Sequence, residues 1–138
     1  MKNKIKALNK LRDEKNAGGG KDKLEKRAAA GKMNARERIE YLFDPGTFVE
    51  LQSYMQHRSS NFGLEKKKFY GDGVITGYGK IHDKTVYIFS QDFTVLGGSL
   101  GEQHAKKIVN VQDMALRAGA PIIGINDSGG ARIQEGIN

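Results

Sequence analysis

The chain has 138 residues, 38% apolar and 28% charged, room for one modest domain with a core but not for two full ones; collagen-like and wholly disordered chains are excluded. Eighteen glycines against two prolines point to tight turns, and the lack of cysteine excludes disulfide scaffolds, thiolate zinc sites, iron–sulfur clusters and a cysteine nucleophile while fitting a reducing compartment. The net charge of +7 sits at one end: residues 1–38 hold thirteen Lys/Arg against five Asp/Glu, residues 39–138 ten against eleven.

Ile5, Leu8 and Leu11 recur at helical spacing and predict a helix over 3–15, ended by Gly18-Gly19-Gly20. Leu24 and Ala28 to Ala30 predict a short second helix stopped by Gly31. Asn34 stands three before Glu37, a capping box opening a third helix with Ile39, Leu42 and Phe43, and Asp44-Pro45-Gly46 is a turn. Residues 1–46 are therefore a basic helical lead-in. It has no interleaved aromatics, and Asp13, Glu14, Asp22, Glu25 and Glu37 interrupt its charge runs, so a solvated lead-in is expected rather than a nucleic-acid arm. No apolar run is long enough to span a bilayer and none resembles a secretory leader, so a cytoplasmic protein without a membrane partner is expected.

Phe48 to Leu51 predicts a short strand, and residues 57–70 a polar surface excursion. Gly73 to Ile81 and Thr85 to Gln91 predict a hairpin around His82-Asp83-Lys84. Ser99 to Glu102 has the spacing of a second capping box, opening a helix whose apolar side would carry Ala105, Ile108, Val109 and Leu116 and which Gly119 and Pro121 would end. Pro121 to Asn126 is nearly all apolar, as in a strand buried on both faces. Strand, helix and strand with short connections make a βαβ unit.

No acid/base pair or metal constellation stands out: His57, His82 and His104 are scattered, and Ser128 lacks the glycine two positions earlier that a GxSxG elbow requires. Two glycine loops remain, Gly97-Gly98 with Ser99 before a helix, and Gly129-Gly130 with Ala131 and Arg132 after a strand. Glycines there let backbone N–H groups approach a ligand closely, at the usual ligand edge of an α/β sheet, and Arg132 offers a positive charge suited to a phosphate or carboxylate. Neither loop is a Walker A or GxGxxG motif.

The runs QDFTVLGGSLGEQHAKKI (91–108) and GAPIIGINDSGGARIQEGI (119–137), with the lead-in from Gly18 to Leu51 and the stretch from His57 to Ile81, resemble the N-terminal part of the carboxyltransferase (beta) subunit of propionyl-CoA-carboxylase-type enzymes. The resemblance implies a crotonase-like α/β fold of ββα repeats, with residues 47–138 as the first part of an N-terminal carboxyltransferase domain. It implies an enzyme that moves a carboxyl group from carboxybiotin to the α-carbon of propionyl-CoA or a similar short acyl-CoA. Biotin would be carried by a biotin carboxyl carrier or biotin carboxylase partner, not by this chain. Gly129, Gly130, Ala131 and Arg132 would line the acyl-CoA pocket, with Gly97, Gly98 and Ser99 as a supporting loop; no metal and no catalytic side chain are implied, because backbone N–H groups stabilise the developing oxyanions. The alpha subunit of biotin-dependent methylmalonyl-CoA decarboxylases is similar through the same region.

Members of that family run several times longer, contain two crotonase-like domains and act as homo-oligomers. The expectation is therefore a truncated portion, inactive alone, or else a non-catalytic assembly module that docks through its basic lead-in and an unpaired sheet edge.

Overall fold

The computed structural model describes residues 1–136. Three helices lead in: α1 (Lys2–Asn16), α2 (Lys21–Ala29) and α3 (Ala35–Leu42). A four-stranded sheet follows, built from β1 (Val49–Leu51), β2 (Val74–Ile81), β3 (Lys84–Gln91) and β4 (Ile122–Ile125), with α4 (Glu102–Ala118) between β3 and β4. The strand order is β1-β2-β3-β4; the first three are antiparallel and β4 runs parallel to β3, pairing from Tyr87↔Ile122 to Ser90↔Ile125.

The hairpin turns tighter than the sequence suggests. Lys84 is already paired with Ile81, leaving a two-residue turn in which His82 and Asp83 both take positive φ, 48° and 65°. That is the primed geometry that matches strand twist. Asp44 of the Asp-Pro-Gly turn steadies it, its carboxylate accepting from the N–H groups of His82 (3.1 Å) and Asp83 (2.9 Å).

Alternation along β3 gives the sheet two different faces. Val86 and Ile88 point one way and, with Ile75, pack against Ala35, Ile39 and Phe43 of α3 and its end. Ile39 and Ile88 are fully enclosed, each worth about 1.5–3 kcal/mol of apolar burial. The capping box sets the start of α3: Asn34 Oδ1 accepts from the N–H of Glu37 (2.9 Å), and Glu37 Oε2 accepts from the N–H of Asn34 (2.9 Å). On β2, a Cβ at Gly79 would lie 2.6 Å from the Phe43 ring, so glycine is what allows the tilted Phe43–Phe48 pair to cross the sheet.

The other face, with Tyr87 and Phe89, receives α4, and two expectations need correction. The buried side of α4 carries Gln103, His104, Lys107, Val111 and Ala115, whereas Val109 is 52% and Leu116 81% exposed. Hydrogen bonding decides the register: Lys107 is fully enclosed because its ammonium donates to Gly71 O (2.9 Å) and to Val74 O. The Ser99–Glu102 capping box does not form either. Gly101 is the cap residue, Ser99 Oγ donates to Leu96 O (2.7 Å), and the N–H of Glu102 is met by Glu135 Oε2 at 2.8 Å. A third correction concerns β4, which is an edge strand with half-buried and exposed residues alternating, because no strand among the described residues pairs beyond it.

α1 buries none of its residues. Its far end is pinned by Glu50, whose carboxylate accepts from Lys15 (2.9 Å) and from both Arg36 nitrogens (3.0 and 3.2 Å). Burial alone would push that carboxyl up, and the two cations hold it below its ordinary value. No described helix is long and apolar enough to cross a membrane.

Candidate functional site

The two glycine loops meet. The loop after β3 runs through Asp92 to Gly101, the loop after β4 through Asp127 to Arg132, and they are stitched in register: Gly129 N–H donates to Gly97 O (2.9 Å), Leu100 N–H to Gly130 O (2.9 Å) and Arg132 N–H to Leu100 O (2.9 Å). Gly98 takes φ +62°, and a Cβ on it would collide with the Asp127 carbonyl, so a close backbone crossing fixes glycine there. Gly129, Gly130 and Ala131 lie exposed on the outer side of this seam.

The seam commits most of its donors. Gly130 N–H donates to Ser128 Oγ (3.0 Å), so of the predicted residues 129–132 only Ala131 keeps an N–H with no acceptor among the described residues. Beside it an open, mainly apolar depression of about 630 Å³ is lined by Leu100, Gly101, Ala105, Ala131, Ile133 and Gly136 together with Glu102, Arg132 and Glu135.

Arg132 differs from expectation. Its side chain is fully enclosed and its charge is matched inside the protein. Nη1 donates to Asp72 Oδ1 (2.6 Å) and Glu135 Oε1 (3.0 Å), and Nη2 to Ser99 O (2.9 Å) and Asp72 O (3.2 Å). A ligand phosphate or carboxylate would compete with two carboxylates already in place. Arg132 therefore clamps the second loop onto the turn before β2, and Ser99 serves the clamp.

Asp72, φ +47°, is fully buried and also accepts from the backbone N–H of His104 (3.1 Å). Burial pushes its carboxyl up, against the pull of Arg132. His104 Nδ1–H donates to Asp72 O (2.9 Å), and its Nε2 accepts from the Gln91 amide (3.3 Å), whose Oε1 accepts from Asp127 N–H (3.0 Å). This chain fixes a neutral imidazole, and burial, aided by Arg132 and Lys107, pushes its pKa down to about 4. Burial likewise pushes the Lys107 ammonium down to about 8. The network was not legible in the sequence, because Asp72, His104 and Arg132 are far apart along the chain and no local spacing links them.

The lead-in also reaches this place. Asp127 accepts from Arg27 (2.5 Å) and Arg38 (2.9 Å). Gly19 N–H donates to Thr94 Oγ1 (2.9 Å), and Lys23 Nζ donates to Thr94 O (3.0 Å). The Gly18-Gly19-Gly20 turn is thus more than a helix stop: a Cβ on Gly18 would lie 2.5 Å from the Asp92 carboxylate. No group of three or more metal-ligating side chains occurs among the described residues.

The carboxyl transferase domain family matches residues 26–138. The methylmalonyl-CoA decarboxylase subunit alpha of Propionigenium modestum is 55% identical over 135 residues, 98% of this chain and 26% of that protein. The propionyl-CoA carboxylase beta chain of Cereibacter sphaeroides is 52% identical over 137 residues, 99% of this chain and 27% of that protein. Among solved structures, the hexameric transcarboxylase 12S with methylmalonyl-coenzyme A and methylmalonic acid bound superposes with a TM-score of 0.95 at 44% identity, covering 99% of this chain and 27% of that one. The chain thus spans about a quarter of the length of the relatives it matches.

Proposed function

The chain belongs to the carboxyl transferase domain family, with its crotonase-like α/β fold, and on that premise we propose that it supplies the thioester-binding part of an acyl-CoA carboxyltransferase. The reaction is transfer of a carboxyl group between biotin and the α-carbon of propionyl-CoA or a similar short acyl-CoA. The observation that carries this reading is the seam between the two glycine loops, with the Ala131 N–H uncommitted among the described residues beside an open, mainly apolar depression. A thioester oxygen gains negative charge when its α-carbon becomes nucleophilic, and a fixed N–H aimed at that charge stabilises it with little reorganisation. Gly129 and Gly130, exposed and without side chains, leave room for the thioester to lie against the seam.

Biotin, borne by a carrier partner and not attached to this chain, supplies or accepts the carboxyl group. The donor set here, backbone N–H rather than a side-chain nucleophile or metal, fits oxyanion stabilisation. The Asp72–Arg132–Glu135 clamp acts on positioning: it fixes where the Ala131 N–H stands. Residues 1–46 are the lead-in and 47–138 the first part of the N-terminal domain. The protein works in the cytoplasm as a homo-oligomer, consistent with the hexameric transcarboxylase 12S. This quarter-length stretch binds thioester but does not turn it over alone.

A second reading has its own support: 55% identity to a methylmalonyl-CoA decarboxylase alpha subunit fits the reverse sense of transfer, from the malonyl-type thioester to biotin. Both share the same thioester seam. Calorimetric titration tests the shared reading: propionyl-CoA and methylmalonyl-CoA are expected to bind and free propionate not to, and a chain blind to both thioesters would overturn it.

A further inference from the structure

The turn before β2 anchors both glycine loops. Gly71, Asp72 and Gly73 take positive φ in succession, 83°, 47° and 81°. Glycine adopts that geometry freely, whereas Asp72 keeps it because its surroundings hold it there. The three carbonyls are all engaged. Gly73 O accepts from the N–H of Asp92 (2.8 Å), where the first loop begins. Asp72 O accepts from Arg132 Nη2 (3.2 Å) of the second loop and from His104 Nδ1 (2.9 Å). The last grip comes from α4: the Lys107 ammonium donates to Gly71 O (2.9 Å) and to Val74 O, the carbonyls on either side of Asp72 and Gly73.

Lys107 is fully enclosed, and both of these partners are neutral carbonyls. Bonds from a charged donor are roughly twice as strong as neutral ones, so the grip depends on the proton. The charges acting on the ammonium come from several elements: Glu50 of β1 and Asp72 of the turn support it, and Arg36 of α3 and Lys15 of α1 oppose it. His104, one turn earlier on α4, is neutral above about pH 4.

We propose that Lys107 is a positioning residue for the thioester seam: its ammonium ties Gly71 O to Val74 O, which holds Asp72 in the left-handed conformation that meets Arg132, and Arg132 in turn fixes the Ala131 N–H. The proposal rests on the acyl-CoA reading above for what the seam binds. It gives the seam a dependence on alkali. Burial pushes Lys107 down to about 8, so its proton leaves within reach of mild base and the turn loosens. The effect on stability has the opposite sign. The unfolded lysine keeps its proton up to about 10.5, so between 8 and 10.5 the unfolded chain binds more protons and folding gains as pH rises. Through Lys107, base therefore strengthens the fold while weakening the site, a pairing that a purely structural lysine does not give.

Carbon-detected NMR of the free chain, titrated from about pH 7 to about 9.5, follows the link. Backbone signals of Asp72, Ala131 and Arg132 are expected to move together with one midpoint near 8, and to stay still in Lys107→Met, which keeps the side chain's length without its charge. Glu50→Gln leaves Lys107 in place but removes a charge that supports it, so the midpoint should fall; this variant decides the matter even where Lys107→Met does not fold. Over the same range wild-type affinity for propionyl-CoA should weaken by about threefold to tenfold, while Lys107→Met binds weakly throughout. By reciprocity, saturating propionyl-CoA should raise the midpoint by about half to one pH unit. Signals that do not titrate together, a titration that persists in Lys107→Met, or a midpoint that Glu50→Gln leaves in place overturns the role of Lys107 and leaves the acyl-CoA reading standing. So does a wild-type affinity that stays flat while the signals move. Failure of propionyl-CoA to bind at any pH overturns the acyl-CoA reading, and coupled signals then support Lys107 as the group that sets the Ala131 N–H.

Discussion

α3 and α4 cover opposite faces of one sheet by opposite means. α3 seats Ala35, Ile39 and Phe43 on Ile75, Val86 and Ile88, an apolar contact with no polar partner required. α4 seats Gln103, His104 and Lys107 along with Val111 and Ala115, and the His104 ring and Lys107 ammonium are tolerable there only because Gly71, Asp72, Val74 and Gln91 meet them. The apolar face holds the fold together. The polar face fixes the position of the two glycine loops, since Asp72 and Arg132 belong to it. Stability and site geometry are therefore carried by different sides of the same sheet.

The sharpest way to break this division is Asp72→Ala. It leaves the enclosed Arg132 guanidinium with only Glu135 as counter-charge, and a loss of about 3–5 kcal/mol is expected in denaturant unfolding, together with weaker thioester binding. Ile88→Ala on the other face should cost about 3–4 kcal/mol through the cavity it leaves, with the thioester affinity of the remaining folded protein unchanged. Equal effects of the two on affinity would contradict the division.

Acid sharpens the contrast further. The folded state keeps His104 neutral down to about 4, whereas the unfolded chain takes up the proton near pH 6.5. His104 therefore favours folding fully above pH 6.5, and that contribution is lost as pH falls toward 4, by up to about 3 kcal/mol. Unfolding midpoints measured across that window should flatten in His104→Gln. The smallest effect belongs to the capping box: Asn34→Ala should cost about 1 kcal/mol and leave the polar network untouched, as thermal unfolding would report.

The same contrast explains what could be read from the sequence. The α3 side was legible because local rules suffice: Asn34 and Glu37 are three residues apart, and the hairpin pairs neighbours in sequence. The Ser99–Glu102 pair has identical spacing but fails, because Leu96 O takes the hydroxyl and a carboxylate 33 residues downstream takes the helix N–H. Nothing local marks Lys107 and His104 as buried, because their acceptors are carbonyls 33 and 32 residues away. Arg132 read as a ligand-facing charge because Asp72, 60 residues earlier, carries no motif. The DSGGAR loop itself was visible, since its glycines and its place after an apolar strand are local features; which of its N–H groups stay uncommitted depends on the loop it pairs with.

The most direct measurement is amide-resolved NMR of the chain titrated with propionyl-CoA. The account predicts that the amides of Gly97, Gly129, Gly130 and Ala131 shift together and saturate with one affinity, Ala131 moving furthest. Saturable binding that leaves these four amides in place while others move would contradict it.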